Sequence, residues 1–354
     1  MRKPCALMMA GGTGGHIFPG LAVAELLRQR GWRVHWLGNA ESMEARIVPA
    51  KGFPLETIEM SGVRGKGGTS FLLLPFRLLR AFFESVRIIR RVRPDILIGM
   101  GGYVTFPGAM MGVLLGKPLL LHEQNAIAGL SNRVLSGIAD KVFSAFPGVL
   151  PKARWVGNPL REDFHKQGMP SARFDGRSGP LRLLVVGGSL GAKALNDLVP
   201  AALALIPAQE RPIVVHQSGS KQIENLRSSY EAAGVDAELV PFIDDMASAF
   251  AKADLIVCRA GASTVTEIAA VGAAALFVPF PFAVDDHQTA NARFLSEGGA
   301  AWLEQQSDLT PDRLAATLQA LSRDDLRAKA QAAWTKRKLD ACDEMVAACE
   351  ELVQ

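Results

Sequence analysis

One unit occurs twice in this chain and constrains the fold more than any other feature. An apolar run, Leu7–Ala10, leads into Gly11-Gly12-Thr13-Gly14-Gly15-His16 and then into a helical stretch. Half a chain later another apolar run, Leu181–Val186, leads into Gly187-Gly188-Ser189-Leu190-Gly191-Ala192 and a second helical stretch. A buried strand, a glycine turn and a helix in that order open a parallel α/β unit. Arg33–Leu37, Asp95–Met100 and Leu119–His122 read as further strands of the first half, and Pro212–His216, Ala237–Val240, Leu255–Cys258 and Ala275–Val278 as strands of the second. Amphipathic runs separate them, the first being Ile17–Arg30. At about 150 residues per domain, 354 residues make roughly two domains. The expectation is an α/β chain of two doubly wound parallel-sheet halves, joined by the polar Gly-, Pro- and Arg-rich segment Arg161–Pro180 as a linker. Thr310-Pro311 predicts an N-cap followed by a first-turn proline in a C-terminal helix.

Composition removes several classes. With 49% hydrophobic and 21% charged residues, the chain can bury a large core, so global disorder is excluded. Lys and Arg number 39 against 35 Asp and Glu, and a net charge of +4 is too small to argue for nucleic acid. Cys5, Cys258, Cys342 and Cys349 form no C-x-x-C pair, which speaks against a disulfide framework or zinc ribbon and for a reducing compartment. Ile96–Gly116 is uncharged and as long as a membrane span of about 20 residues. Gly99, Gly101, Gly102, Pro107 and Gly108 break it, so a strand, a loop and a helix are expected there and no transmembrane segment.

Three glycine loops, Gly11–Gly15, Gly99–Gly102 and Gly187–Gly191, sit between strand and helix. Such a loop lets backbone N–H groups approach an anion at a helix start. Three of them over two halves suggest a phosphorylated ligand. The dinucleotide pattern G-x-G-x-x-G fails, because its third glycine falls on Ile17 or Val104. The P-loop pattern fails at Ala192. There is no D-x-D triplet and no His/Cys/Asp cluster at metal-ligand spacing, so a diphosphate here is expected to be met by amides, helix dipoles and Arg or Lys.

Polar residues gather where strands end. His122-Glu123-Gln124-Asn125 follows Leu119–Leu121; Asn125 can bond a sugar hydroxyl or amide, and His122 can equally be a satisfied buried histidine. Arg161 follows Gly157-Asn158-Pro159 and reads either as a diphosphate ligand or as an ordinary surface arginine. Gly261-Ala262-Ser263-Thr264-Val265-Thr266-Glu267 opens a helix after Leu255–Cys258, and the Glu267 carboxylate can accept from both hydroxyls of a ribose or simply complement the helix dipole. Asp285-Asp286-His287-Gln288 is a further polar cluster or a solvated loop. His16 can serve as general base on a hydroxyl, or hold its loop as a helix-start histidine.

Between Arg64 and Arg93 eight basic residues face one acid, Glu84. Leu79, Phe82, Val86 and Ile89 fit one buried helix face, which leaves Phe71, Leu72, Leu73, Leu74, Phe76 and Phe83 in surplus beside Arg77, Arg80 and Arg87. Surplus apolar side chains flanked by arginine fit a patch on an anionic membrane; a buried helix with a solvated basic face is the alternative.

Gly11–Gly20, Gly99-Met100-Gly101-Gly102-Tyr103-Val104, His122-Glu123-Gln124-Asn125, Gly157-Asn158-Pro159, Gly187-Gly188-Ser189 and the Glu267 segment, in this order and over nearly the whole chain, resemble the peptidoglycan N-acetylglucosaminyltransferases of the MurG type, which act on an undecaprenyl-linked muramyl-pentapeptide. The resemblance implies a GT-B fold of two Rossmann-like domains facing a cleft: residues 1–160 for acceptor and membrane, residues 161–335 for the donor, and a terminal helix within 336–354 returning to the first domain. It implies UDP-N-acetylglucosamine as donor substrate with no cofactor and no metal. Donor contacts would fall to Thr13, Gly14, Gly15, Asn125, Arg161, Ser189, Ile243, Ala262, Ser263, Thr264, Val265, Thr266, Glu267 and Gln288, with the Ile243 backbone on uracil and Glu267 on the ribose. The acceptor diphosphate would lie on Gly11, Gly12, Gly101, Gly102 and Tyr103, His16 would be the base, and the domains would close by a hinge near Arg161. The protein would sit peripherally on the cytoplasmic face of the bacterial inner membrane, beside cell-wall synthesis or division proteins. A UDP-sugar 2-epimerase and a non-catalytic nucleotide-sugar sensor are the rival expectations.

Overall fold

The computed structural model describes residues 2–60, 74–188 and 191–354. The chain divides into two compact units, residues 1–160 with 339–354, and residues 161–338.

The first unit holds a seven-stranded sheet. Its strands are β1 (Cys5–Ala10), β2 (Arg33–Gly38), β3 (Leu55–Thr57), β4 (Ile96–Gly101), β5 (Leu119–Glu123), β6 (Lys141–Ser144) and β7 (Arg154–Trp155), in the order β3-β2-β1-β4-β5-β6-β7. Every pairing is parallel. β1, β4 and β5 are buried along their full length, which is why they read as unbroken apolar runs. Alternate side chains of β1 serve opposite faces. Ala6, Met8 and Ala10 join Ile17, Val23 and Trp36, with Met345 and Val346 of the terminal helix Ala341–Val353. Cys5, Leu7 and Met9 join Ala81, Ile88 and Ile89 of the helix Leu74–Val92. The terminal helix packs on the first helix, Gly14–Gln29.

The second unit holds six parallel strands. They are β8 (Arg182–Val186), β9 (Ile213–Gln217), β10 (Glu238–Val240), β11 (Leu255–Cys258), β12 (Ala275–Phe277) and β13 (Trp302–Leu303), ordered β10-β9-β8-β11-β12-β13. In both sheets the strand order reverses beside the first strand, between β1 and β4 and between β8 and β11. Open α/β sheets bind ligands at the carboxyl ends of strands at such a point. All three glycine loops emerge there.

The segment Arg161–Pro180 is not a free linker. It forms the helices Glu162–His165 and Pro170–Phe174, buries Phe164 and Phe174, and is built into the second unit. Its arginines explain this. Arg177 pairs with Asp254, which is fully buried, also accepts from the Arg182 amide at 2.9 Å and pairs with Arg323 at 3.2 Å. Arg173 donates to the Ala251, Val271 and Gly272 carbonyls, closing helix ends whose carbonyls lack intrahelical partners. The polarity that reads as a linker comes in part from arginines that cap helix ends. The cap expected at Thr310 is present, its hydroxyl accepting from the Arg313 amide with Pro311 in the first turn.

The buried face of Leu74–Val92 is Ala81, Ser85, Ile88, Ile89 and Val92. Leu79 is not in the core, being 65% exposed, and it lines up with exposed Phe76 and Phe83 at helical spacing. Among the described residues no helix is long and apolar enough to cross a membrane.

Candidate active site

In the first unit the loops after β1 and β4 are pressed together. A Cβ on Gly102 would stand 2.4 Å from the Gly11 carbonyl oxygen, so only glycine allows the approach. Register shifts between Met9 and Ala10, pairing them with Gly99 and Gly101, and this bulge ends β4 at the site. The helix starts at Gly14 rather than at Ile17, so Gly14 and Gly15 supply first-turn N–H groups that an α-helix leaves without intrahelical acceptors. Thr13 is the extended residue ahead of them. The Gly12 amide, in contrast, donates to Glu44 at 3.2 Å, and the Asn39 amide donates to the other oxygen of that carboxylate at 3.0 Å. Glu44 is fully buried and ties the loops after β1 and β2 together. Tyr103 Oη lies 2.9 Å from Ser42 Oγ.

His16 stands over Gly101, where a Cβ would meet its ring at 3.0 Å. Its Nδ1 lies 2.7 Å from Gln124 Oε1. Gln124 Nε2 lies 3.0 Å from His122 Nδ1, and His122 Nε2 lies 2.8 Å from the Gly157 carbonyl oxygen. His122 is fully buried, so the satisfied-histidine alternative holds for it. Burial lowers its pKa to about 4 against the opposing bond to Gly157, with His16 pulling the same way as burial. Glu123 organises the next turn: its carboxylate accepts from the Asn125 amide at 2.9 Å, the Gly129 amide at 3.2 Å and Asn132 Nδ2 at 2.9 Å. Asn125 is thereby held, half-buried, at the strand end.

In the second unit the loop after β8 turns at Gly188 and Gly191, both with positive φ. Ser189 lies outside the described residues. Gln217 donates to the Gly188 and Pro241 carbonyls, joining this loop to the one after β10 that carries Ile243. Arg161 donates to the Asp244 carbonyl at 3.4 Å and faces Glu267 electrostatically. Burial pushes the Glu267 carboxyl up to about 7, and Arg161 pulls it back. Of the run on the helix Ala262–Val271, Ala262 and Val265 are buried, and Thr266 spends its hydroxyl on the Ala262 and Ser263 carbonyls. Ser263, Thr264 and Glu267 remain half-buried. Ser263 Oγ is buried without a partner among the described residues. Gln288 accepts from the Ala260 amide at 3.2 Å and the Phe280 amide at 3.0 Å, so its oxygen clamps the loops after β11 and β12.

The first unit therefore gathers His16, Gly101, Gly102 and the quartet at 122–125, and the second gathers Arg161, the Ile243 loop, the Ala262–Glu267 run and Gln288. Sequence reasoning quoted Glu123 and Gln124 without giving either a role and missed Glu44 and Gln217. The position of Gln124 at the carboxyl end of a strand was its one visible signal; nothing local marked Glu44.

Two Rossmann-like parallel-sheet units with loops of this kind form the GT-B glycosyltransferase fold. Residues 6–144 match the glycosyltransferase family 28 N-terminal domain and residues 182–345 the family 28 C-terminal domain. The chain belongs to glycosyltransferase family 28. It is 67% identical over 347 residues, 98% of each chain, to the UDP-N-acetylglucosamine--N-acetylmuramyl-(pentapeptide) pyrophosphoryl-undecaprenol N-acetylglucosamine transferase of Paracidovorax citrulli. It is 66% identical to the transferase of the same name from Polaromonas naphthalenivorans, over 99% of each chain. The crystal structure of Acinetobacter baumannii MurG superposes with a TM-score of 0.86 at 41% identity, covering 98% of this chain and 99% of that one.

Proposed function

We propose that the protein transfers N-acetylglucosamine from UDP-N-acetylglucosamine to the C4 hydroxyl of the muramyl sugar in undecaprenyl-pyrophosphoryl-MurNAc-pentapeptide, with inversion at the anomeric carbon. The observation that carries this is identity of 67% over 98% of the chain to a relative named for that transfer. It also weighs against the 2-epimerase and sensor readings.

In the reaction His16 takes the proton of the attacking hydroxyl. The hydroxyl oxygen bonds the anomeric carbon, and the bond to the diphosphate oxygen breaks with its electron pair leaving on UDP. The donor is held by Glu267 on the ribose, by the Ile243 backbone on uracil and by Ser263, Thr264 and Gln288, with Arg161 stabilising the departing diphosphate. The unpartnered Ser263 hydroxyl at a helix start supports a ligand there. Gly11, Gly101, Gly102 and Tyr103 take the acceptor diphosphate, while the Gly12 amide is committed to Glu44.

The helix Leu74–Val92 docks on an anionic membrane surface at the cytoplasmic face. Phe76 is 72% and Phe83 71% exposed, and Leu79 extends their stripe. Leu74 is half-buried, Arg87 is exposed beside the stripe, and Arg80 is shared with Glu59 and Glu84. Phe71, Leu72 and Leu73 lie outside the described residues, and Arg77 is half-buried.

A transfer assay with labelled UDP-N-acetylglucosamine and extracted lipid acceptor tests the reaction. His16→Ala lowers turnover strongly and leaves donor affinity nearly unchanged; equal losses in both remove His16 from the base role.

A further inference from the structure

We propose that Gln124 and His122 are positioning residues that fix the tautomer of His16, so that its Nε2 always presents a lone pair to the acceptor hydroxyl. This rests on the reading of His16 as the base.

The Gly157 carbonyl oxygen only accepts, and it lies 2.8 Å from His122 Nε2, so that nitrogen carries a proton. His122 is fully buried and has no carboxylate on either ring nitrogen among the described residues, and its lowered pKa keeps the ring neutral near neutral pH. Its Nδ1 is then an acceptor. The Gln124 atom 3.0 Å away must be the amide nitrogen, which also reaches the His122 carbonyl at 3.1 Å. With that end of the amide spent on two acceptors, the Gln124 carbonyl oxygen is turned to His16 Nδ1 at 2.7 Å. An oxygen there requires Nδ1 to be the protonated nitrogen, and Nε2 is left as the basic one.

The proton that His16 gains stays on Nε2. Gln124 cannot take the Nδ1 proton and does not ionise, so the chain orients the ring and transmits no charge. A neutral amide is a weaker partner for the imidazolium than a carboxylate would be, so the gain lies in orientation more than in basicity. The buried anchor matters because an isolated glutamine can flip end over end. His122 makes the flip unfavourable, since it would set two acceptors, Oε1 of Gln124 and Nδ1 of His122, against each other.

The test is ring-nitrogen NMR on the full-length protein labelled with 15N-histidine near neutral pH, with His16 identified by the signals lost in His16→Asn. The proposal requires a protonated Nδ1 on His16 and a protonated Nε2 on His122. A protonated Nε2 on His16 in the wild type overturns it, whatever the transfer assay gives. Gln124→Met, similar in length but without the acceptor, is expected to release His16 to a mixture of tautomers and to lower kcat about tenfold, the worth of roughly one hydrogen bond. UDP affinity and the donor KM stay within about twofold, because the bond removed is made to His16 and not to the donor. A Gln124→Met protein that retains a single His16 tautomer and wild-type kcat overturns the proposal. If that variant does not fold, the wild-type spectrum alone decides. Failure of the proposed transfer reaction is read separately, as absence of product from the wild-type protein.

Discussion

Replacing Gly102 by alanine probes the contact that brings the two glycine loops of the first unit together. Gly102 has φ +86, and an added Cβ lies 2.4 Å from the Gly11 carbonyl oxygen. A carbon and an oxygen in weak contact sit at about 3.3 Å or more, so one loop must retreat by close to 1 Å. Both partners are backbone, and no rotamer relieves the clash. The left-handed conformation costs a side chain about 1–2 kcal/mol, and overpacking adds about 1–3 kcal/mol. Gly116 is the control: it has φ +72 with nothing within 4 Å of its Cβ position, so its alanine variant bears only the conformational cost. The expected result for Gly102→Ala is a loss of about 2–5 kcal/mol in urea unfolding, against about 1–2 for Gly116→Ala. Because His16 leans on the neighbouring Gly101, a shift of close to 1 Å also lowers kcat by about 100-fold. If the two variants match in both stability and turnover, the loops do not meet as described and the argument fails.

Asp254→Asn strips the charge that Arg177 and Arg323 share in a fully buried position and is expected to cost about 3–5 kcal/mol, seen as a lowered urea midpoint; an unchanged midpoint means the triad contributes nothing. Glu267 has its carboxyl raised from 4.5 to about 7 by burial, so the folded form keeps a proton that the unfolded form releases, and the free protein loses stability as pH climbs through that interval. Ribose hydroxyls favour the ionised carboxylate, so UDP binding near neutral pH releases protons, measurable by calorimetry in buffers of different ionisation enthalpy; the same release from Glu267→Gln contradicts the ribose assignment. The double change Phe76→Asp and Phe83→Asp abolishes flotation with anionic liposomes and leaves Tm within about 2 °C, because both rings are exposed; retained flotation excludes the patch.

The central strands were legible because burial on both faces makes them continuous apolar runs, and Leu255–Cys258 coincides with β11 at both ends. The short strands β3, β6, β7 and β13 escaped, since two to four residues at or near a sheet edge carry little pattern. The face of Leu74–Val92 was misjudged at Leu79 for a related reason. A helix with apolar residues on several sides does not announce which of them meets the sheet.

The sequence alone determined that there are two α/β halves, each opening with a strand, a glycine turn and a helix, because a glycine turn and an apolar run are local properties of consecutive residues. It also placed histidine, arginine and glutamate where strands end. Which of those groups touch was decided only by tertiary structure. The parallel crossovers bring His16 and Gln124 together across 108 positions of chain, and Arg177 and Asp254 across 77. Burial and the bond to the Gly157 carbonyl, 35 positions away, then keep His122 neutral, and neither its burial nor that partner can be read from the residues beside it.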